Sequence, residues 1–441
     1  MADRPDPGAP YRWLELENGR SAPFYIVPFD KDGLCSGPLT AQGLVDCAAG
    51  GTITDVFLFS HGWNNDWAVA VRRYDEFIEG FSALRARYPV GREFRPLLVG
   101  VFWPSTALVA PWERGPEFAG AGSDHDTGAA EQAELGEVAA VVPEGQRGRF
   151  YTLAQRAGDL GEDEAAEFAA LVAAAFAGSD ELRTASSVPP DEVLSVWRAI
   201  PPTAPRPVGD DFGFAADDTA DPQTAGRFRA LDPRSLIRLA TVLRMKDRAG
   251  RVGTRGVADL LSSVLAAPDA RVHLVGHSYG AKVVLSALVA APHARPVDSV
   301  LLLQPAVSYL CFAADVDGTG RPGGHRAALS RARQPIMTTF SRNDVPLTRF
   351  FQWAARRASD LGEVQIAGVP SRYAALGGFG PGGIDGQAVQ VLARLPAEPY
   401  AAEPAGIRVV AVESTDFIKG HGDISNDATH WMLLNQVSRA G

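Results

Sequence analysis

At 441 residues the chain can bury a large core and has room for more than one domain. Hydrophobic content of 46% and a mean hydropathy of −0.05 describe a soluble globular protein, and no apolar run reaches the ~18 residues of a membrane span. The net charge of −10 is concentrated between Thr106 and Ala230, where 22 acidic residues face 9 arginines and no lysine; this argues against a nucleic-acid partner and leaves the segment little attraction for an anionic membrane.

The opening MADRPDPGAP lacks the basic and apolar segments of a secretory signal, so the cytoplasm is the expected location. Tyr11 to Glu17 and Phe24 to Phe29 are β-prone runs around Asn18-Gly19, a turn pair that predicts an antiparallel opening. A helix is expected from Ala41 to Ala48, capped by Thr40 and stopped by Gly50. Cys35, Cys47 and Cys311 are odd in number and lack metal-ligand spacing, so they predict buried or half-buried thiols rather than disulfides or a zinc site.

Thr54 to Ser60, TDVFLFS, is almost continuously apolar, as central parallel strands are. It ends at His61-Gly62-Trp63-Asn64, which alone suits a plain strand-to-helix turn with a core histidine. Asp66 is placed to cap the next helix, whose apolar face is Trp67, Val71, Tyr74, Ile78, Phe81 and Leu84. Pro96 to Trp103, PLLVGVFW, is the following strand, and strand-helix-strand begins a doubly wound sheet.

Residues 106 to 230 interrupt that alternation. They hold an alanine-rich helix from Asp163 to Ala177, the proline cluster PPTAPRP and an acidic loop to Asp221. Phe168, Leu171, Val172 and Phe176 form an apolar stripe that suits packing on the main domain as well as substrate binding. Asp124-His125-Asp126 lies in a Gly/Ser turn without the further ligands a metal requires. Leu236 to Met245 and Gly256 to Ala266 read as helices leading back to the sheet.

The sheet resumes at RVHLVGHSYGAKVVLSALVA, residues 271 to 290. Arg271 to Val275 is a short β-branched strand, and Val283, Val284, Ala287 and Leu288 recur at helical spacing. Between them Gly276 and Gly280 flank Ser278 at two residues on each side, where larger side chains would collide with strand or helix. Such a turn lifts the Ser278 hydroxyl clear of the sheet, with a helix N-terminus behind it to favour developing negative charge.

This strand, G-x-S-x-G turn and helix resemble the α/β-hydrolase family, in particular its serine esterases and lipases. The resemblance implies an α/β fold with a mostly parallel central sheet and a helical cap inserted at the C-terminal edge of the strands. Residues 1–105 and 231–441 would be the two parts of the core, and the acidic segment 106–230 the cap, with an interaction module or a spacer as the alternatives. It also implies a nucleophile, acid, histidine order along the chain. His61-Gly62-Trp63 resembles the family's oxyanion loop, so the amides of Trp63 and of Tyr279, next after the nucleophile, are the expected oxyanion donors.

The remaining chain is read for the base and acid that a serine needs at neutral pH. Ser299 to Gln304 is another buried strand, and Asp315-Val316-Asp317-Gly318 is a turn lacking the other ligands of a calcium loop. The strand PIMTTF, Pro335 to Phe340, ends in Ser341-Arg342-Asn343-Asp344, which resembles the family's acid loop; Asp344 is the chosen acid, and capping the helix near Pro346 is its alternative role. Asp416 and Asp423 lie too late for the implied order. After the last strand, Ile407 to Val412, glycines flank His421 on a loop, and His421 is chosen over His430, which falls within a closing helix from Asp427 to Val437. His61 and His277 are assigned to their loops, His273 to its strand, and His293 and His325 to surface loops.

The expected activity is hydrolysis of a small-molecule or lipid carboxylic ester without a metal or organic cofactor. A thioesterase or acyltransferase would use the same groups. A non-catalytic binding protein of this fold is the alternative from a different class.

Overall fold

A computed structural model describes residues 7–16, 20–63, 65–105, 135–156, 160–176, 189–199, 231–267, 270–292, 295–350, 374–401 and 403–440. Nine strands form one sheet: β1 Arg12–Glu15, β2 Ser21–Pro28, β3 Asp55–Ser60, β4 Pro96–Phe102, β5 Arg271–His277, β6 Ser299–Leu303, β7 Ile336–Phe340, β8 Ala388–Leu392 and β9 Val409–Glu413. Their order is β1-β2-β4-β3-β5-β6-β7-β9-β8. Only β1, against β2, is antiparallel; all other pairings are parallel. The chain is therefore of the α/β class, and the C-terminal ends of the parallel strands share one rim.

Side chains alternate between two cores, as the two-residue period of a strand requires. Val56 and Leu58 of β3, Val272 and Leu274 of β5, and Val300 and Leu302 of β6 enter one core. Phe57, Phe59, Val275, Leu301 and Leu303 enter the other. The first core is completed by helices α1 (Pro38–Ala49), α7 (Ala258–Leu265) and α8 (Tyr279–Ala290), and the second by α2 (Trp67–Arg87) and α9 (Asp427–Arg439). A third core holds α3 (Arg147–Ala154), α4 (Glu162–Phe176) and α5 (Pro190–Ala199) together with the first half of α6 (Pro233–Val252). Phe168, Leu171 and Val172 are buried in this third core, with Phe176 packed against it, so the apolar stripe is occupied there.

Several boundaries differ from the sequence expectation. α1 begins at Pro38 after Gly37, because proline's fixed φ suits the first helical turn; Thr40 lies inside the helix and its hydroxyl donates to the Pro7 carbonyl. α6 continues to Val252 and passes through a π-helical turn, Gly253–Val257, into α7. Gly253 makes that join possible, since a Cβ there would lie 2.4 Å from the Val283 carbonyl oxygen. The edge strand β8 is an additional strand, and its half-exposed, mixed sequence AVQVL lacks the apolar run that marks its buried neighbours. His325 is buried, with Nε2 3.3 Å from the Ser286 hydroxyl, rather than on the surface. Asp66 caps α2 by accepting from the Val69 amide, as expected. Asp315 accepts from the amides of Asp317, Gly318 and Gly320, so its loop is a carboxylate-organised turn. Asn18-Gly19, Asp124 to Asp126, the PPTAPRP cluster and His293 lie outside the described residues. Among the described residues no helix is long and apolar enough to cross a membrane.

Candidate active site

Ser278, Gln304, Asp344 and His421 follow β5, β6, β7 and β9 on this rim. β5 ends into Ser278, which holds φ 55° and ψ −122°, a conformation that a serine adopts only under constraint. The constraint is steric and hydrogen-bonded. A Cβ on Gly276 would lie 2.6 Å from the Ala281 Cα, and one on Gly280 would lie 2.1 Å from the Ser60 carbonyl oxygen. The Ser278 amide donates to Leu303 (3.1 Å), and its carbonyl accepts from Ala281 and Ala306 (3.1 Å each).

Ser278 Oγ lies 2.8 Å from His421 Nε2, and His421 Nδ1 lies 2.8 Å from Asp344 Oδ2. The carboxylate can only accept, so Nδ1 carries the proton, and Nε2 presents a lone pair to the serine hydroxyl. The structure thus brings all three chosen residues into one hydrogen-bonded chain, and all three are buried. Asp344 makes both contacts considered for it: Oδ1 accepts from the Leu347 amide (3.0 Å) at the start of a helical turn, while Oδ2 lies against His421 Nδ1. The rest of the S-R-N-D loop secures the histidine loop: the Ser341 hydroxyl donates to the Ile418 carbonyl and Asn343 Nδ2 to the Thr415 carbonyl, both at 2.8 Å. The competing acids lie elsewhere. Asp416 is exposed, and Asp423 tightens its own loop by accepting from the Lys419 amide.

His430 is spent on packing. Its ring enters a notch at Gly80, where a Cβ would lie 2.1 Å from Cε1, and meets Phe77 edge-on at 4.9 Å. Burial brings its pKa down to about 4. His61 staples the turn after β3: its Nδ1 donates to the Gly62 carbonyl (2.8 Å), its Nε2 accepts from the Trp103 amide (3.2 Å), and its ring stacks on the Trp103 ring. Burial again holds its pKa down, to about 4. Gly62 lies directly on the serine turn, since a Cβ there would be 2.8 Å from Ser278 Cβ. Trp63 follows Gly62 in that turn, and Tyr279 follows Ser278 and opens α8.

Two contributors carry no signal in the sequence. His277 Nε2 donates to the His421 carbonyl (3.0 Å), and burial, followed by the charges of His421 and Arg73, keeps its pKa far below the ordinary value. Gln304, which follows β6, donates from Nε2 to Asp344 Oδ2 at 2.7 Å. Nothing in SVLLLQ marks its last residue, because its partner lies 40 positions away.

Among the described residues no cluster of three or more His, Cys, Asp or Glu is arranged to hold a metal. No family model, curated protein or solved structure matches the chain.

Proposed function

We propose that the chain is a serine hydrolase of the α/β-hydrolase type that cleaves carboxylic esters through an acyl-enzyme. The observation that carries this is the continuous Ser278–His421–Asp344 hydrogen-bond chain, with the serine on a left-handed turn at the C-terminal rim of a parallel sheet. In the first half-reaction Ser278 Oγ bonds to the acyl carbon as its proton passes to His421 Nε2. Asp344 holds the imidazolium in place, and the amides of Trp63 and Tyr279 receive the oxyanion. Collapse breaks the ester C–O bond, and His421 returns the proton to the departing alcohol. Water then attacks the acyl-enzyme with His421 as base, releasing the acid and restoring Ser278. The helices around residues 135–199 serve as the cap in this account. They share a core with α6, whose Val242 carbonyl accepts from the Tyr279 hydroxyl (3.2 Å).

The test is hydrolysis of short-chain and long-chain nitrophenyl esters by the intact chain and by Ser278→Ala, His421→Ala and His430→Ala. The expected result is loss of kcat by about 10⁴-fold or more in the first two and near-normal turnover in the third. Turnover that survives in Ser278→Ala would refute the assignment.

A further inference from the structure

The carboxylate that orients His421 is itself clamped. Gln304 is fully buried, and both N–H donors of its side-chain amide are used. Nε2 donates to Asp344 Oδ2 (2.7 Å) and to the Gly377 carbonyl (3.2 Å), while Oε1 accepts from the Thr339 hydroxyl (2.9 Å). The first two partners can only accept, so the amide has one possible orientation. Thr339 Oγ1 in turn accepts from the Gln304 backbone amide at 2.8 Å, which fixes the residue from both ends.

The backbone supplies an independent sign. Gln304 holds φ 44°, a left-handed value that favours glycine and is costly for glutamine. It sits beside the equally left-handed Ser278, whose amide and carbonyl bond to Leu303 and Ala306, the neighbours on either side of Gln304-Pro305. A strained residue that is not glycine thus follows β6, beside Ser278, with its side-chain amide on Asp344.

We propose that Gln304 is a positioning residue for the Ser278–His421–Asp344 machinery. Its amide fixes the direction of Asp344 Oδ2 and draws off part of its charge, and so sets how strongly the imidazolium is stabilised. The proposal rests on the serine-hydrolase reading. The titratable groups around the pair include His277 at the end of β5, His61 after β3, Arg73 on α2, Arg342 beside Asp344, and Lys419 and Asp423 in the histidine loop. All are common to wild type and variants, so a difference between the proteins reports on position 304.

Three substitutions separate the roles. Gln304→Met keeps the length and removes both donors; Gln304→Gly suits the left-handed backbone and guards against failure to fold; Gln304→Glu keeps the shape and can donate only when protonated. For Gln304→Met, kcat for a nitrophenyl ester should fall about 10- to 100-fold with KM within about 2-fold. The acid limb of its kcat/KM profile should move up by about 0.5 to 1 pH unit, because a carboxylate that has lost a donor holds the imidazolium more strongly. Gln304→Gly should fold and show the same direction of change. Gln304→Glu should lose activity as pH rises and the paired carboxylates give up their shared proton.

An unmoved acid limb in Gln304→Met and Gln304→Gly, whatever their kcat, would overturn the proposal and leave Gln304 as packing. Failure of the parent reading looks different: the intact chain does not turn over, or Ser278→Ala does. In that case the His421 titration followed by imidazole NMR, which needs no turnover, decides the clamp, and an unmoved titration in Gln304→Met overturns it.

Discussion

At the scale of single residues, the site depends on backbone conformations that side chains resist. Ser278 at φ 55° is strained for any L-residue with a Cβ and relaxed for glycine. Ser278→Gly should therefore unfold at higher denaturant than Ser278→Ala, by about 1 kcal/mol, although both lack the hydroxyl. Equal midpoints in urea titration would mean that the turn carries no strain. The position of Ser278 was legible because its cause is local: Gly276 and Gly280 are two residues away, and each lies against backbone. Asp344 and His421 were legible from where they fall relative to strands. Gln304 and His277 were not, since each meets the site by hydrogen bonding to a residue distant in sequence, and neither side chain differs in type from ordinary core or loop residues.

At the scale of elements, the strands are tied together at the end opposite the site by a buried polar group. Asp55 at the start of β3 accepts from both terminal nitrogens of Arg92 (2.7 and 2.8 Å) and lies 3.1 Å from His273 Nε2 on β5; His273 Nδ1 is 2.8 Å from the Ser299 hydroxyl on β6. This too is an Asp–His–Ser chain, but it lies at the N-terminal ends of the strands, away from the rim, the His273 ring stacks on Phe57, and Ser299 sits in a regular strand rather than on a strained turn. Ser299→Ala should leave ester turnover within about 2-fold of wild type, whereas Asp55→Asn should cost about 3 kcal/mol by stranding Arg92. Burial acts to raise the Asp55 pKa, yet the bonds from Arg92, His273 and Thr54 outweigh it and hold the carboxyl well below its ordinary range. Its contribution is thus fully present above the unfolded carboxylate pKa of about 4 and is lost as pH falls further.

Histidines give the opposite group a different window. His61 and His430 are held near 4, below the unfolded value of about 6.5. The unfolded chain binds protons first on acidification, so stability is complete above about pH 6.5 and declines toward pH 4. His430→Gln should flatten that decline in urea titrations between these values, by roughly 2 kcal/mol at its lower end; an unchanged slope would contradict a buried neutral His430. At this scale the caps were partly legible. Asp66 stands alone before its helix and caps it, whereas Thr40 was displaced from the cap by Pro38, whose ring sets the start of α1.

For the whole molecule, α6 joins the first and third cores. Its early residues Leu236, Ile237 and Ala240 sit with Phe168 and Trp197, and its later residues Val242 and Met245 sit with Trp63 and Tyr279. Packing in the helices around 135–199 is thereby connected to the ground beneath Ser278. Phe168→Ala should destabilise by about 3 to 4 kcal/mol and bring proteolytic cleavage of this region forward, ahead of loss of the sheet; simultaneous loss of both would mean the third core has no separate stability. The α/β class was legible because strands buried on both faces read as apolar runs. β8 escaped notice because an edge strand needs no such run, and the packing partner of the Phe168 stripe could not be read from periodicity, which reports a buried face without naming what covers it.

The most direct measurement is covalent labelling with a fluorophosphonate probe, with the modified residue located by peptide mass spectrometry in the intact chain, Ser278→Ala and Ser299→Ala. The serine-hydrolase account predicts one adduct on Ser278, retained in Ser299→Ala and lost in Ser278→Ala. An intact, folded chain that takes no label while hydrolysing no ester, or one that carries the label elsewhere after Ser278 is removed, would contradict it.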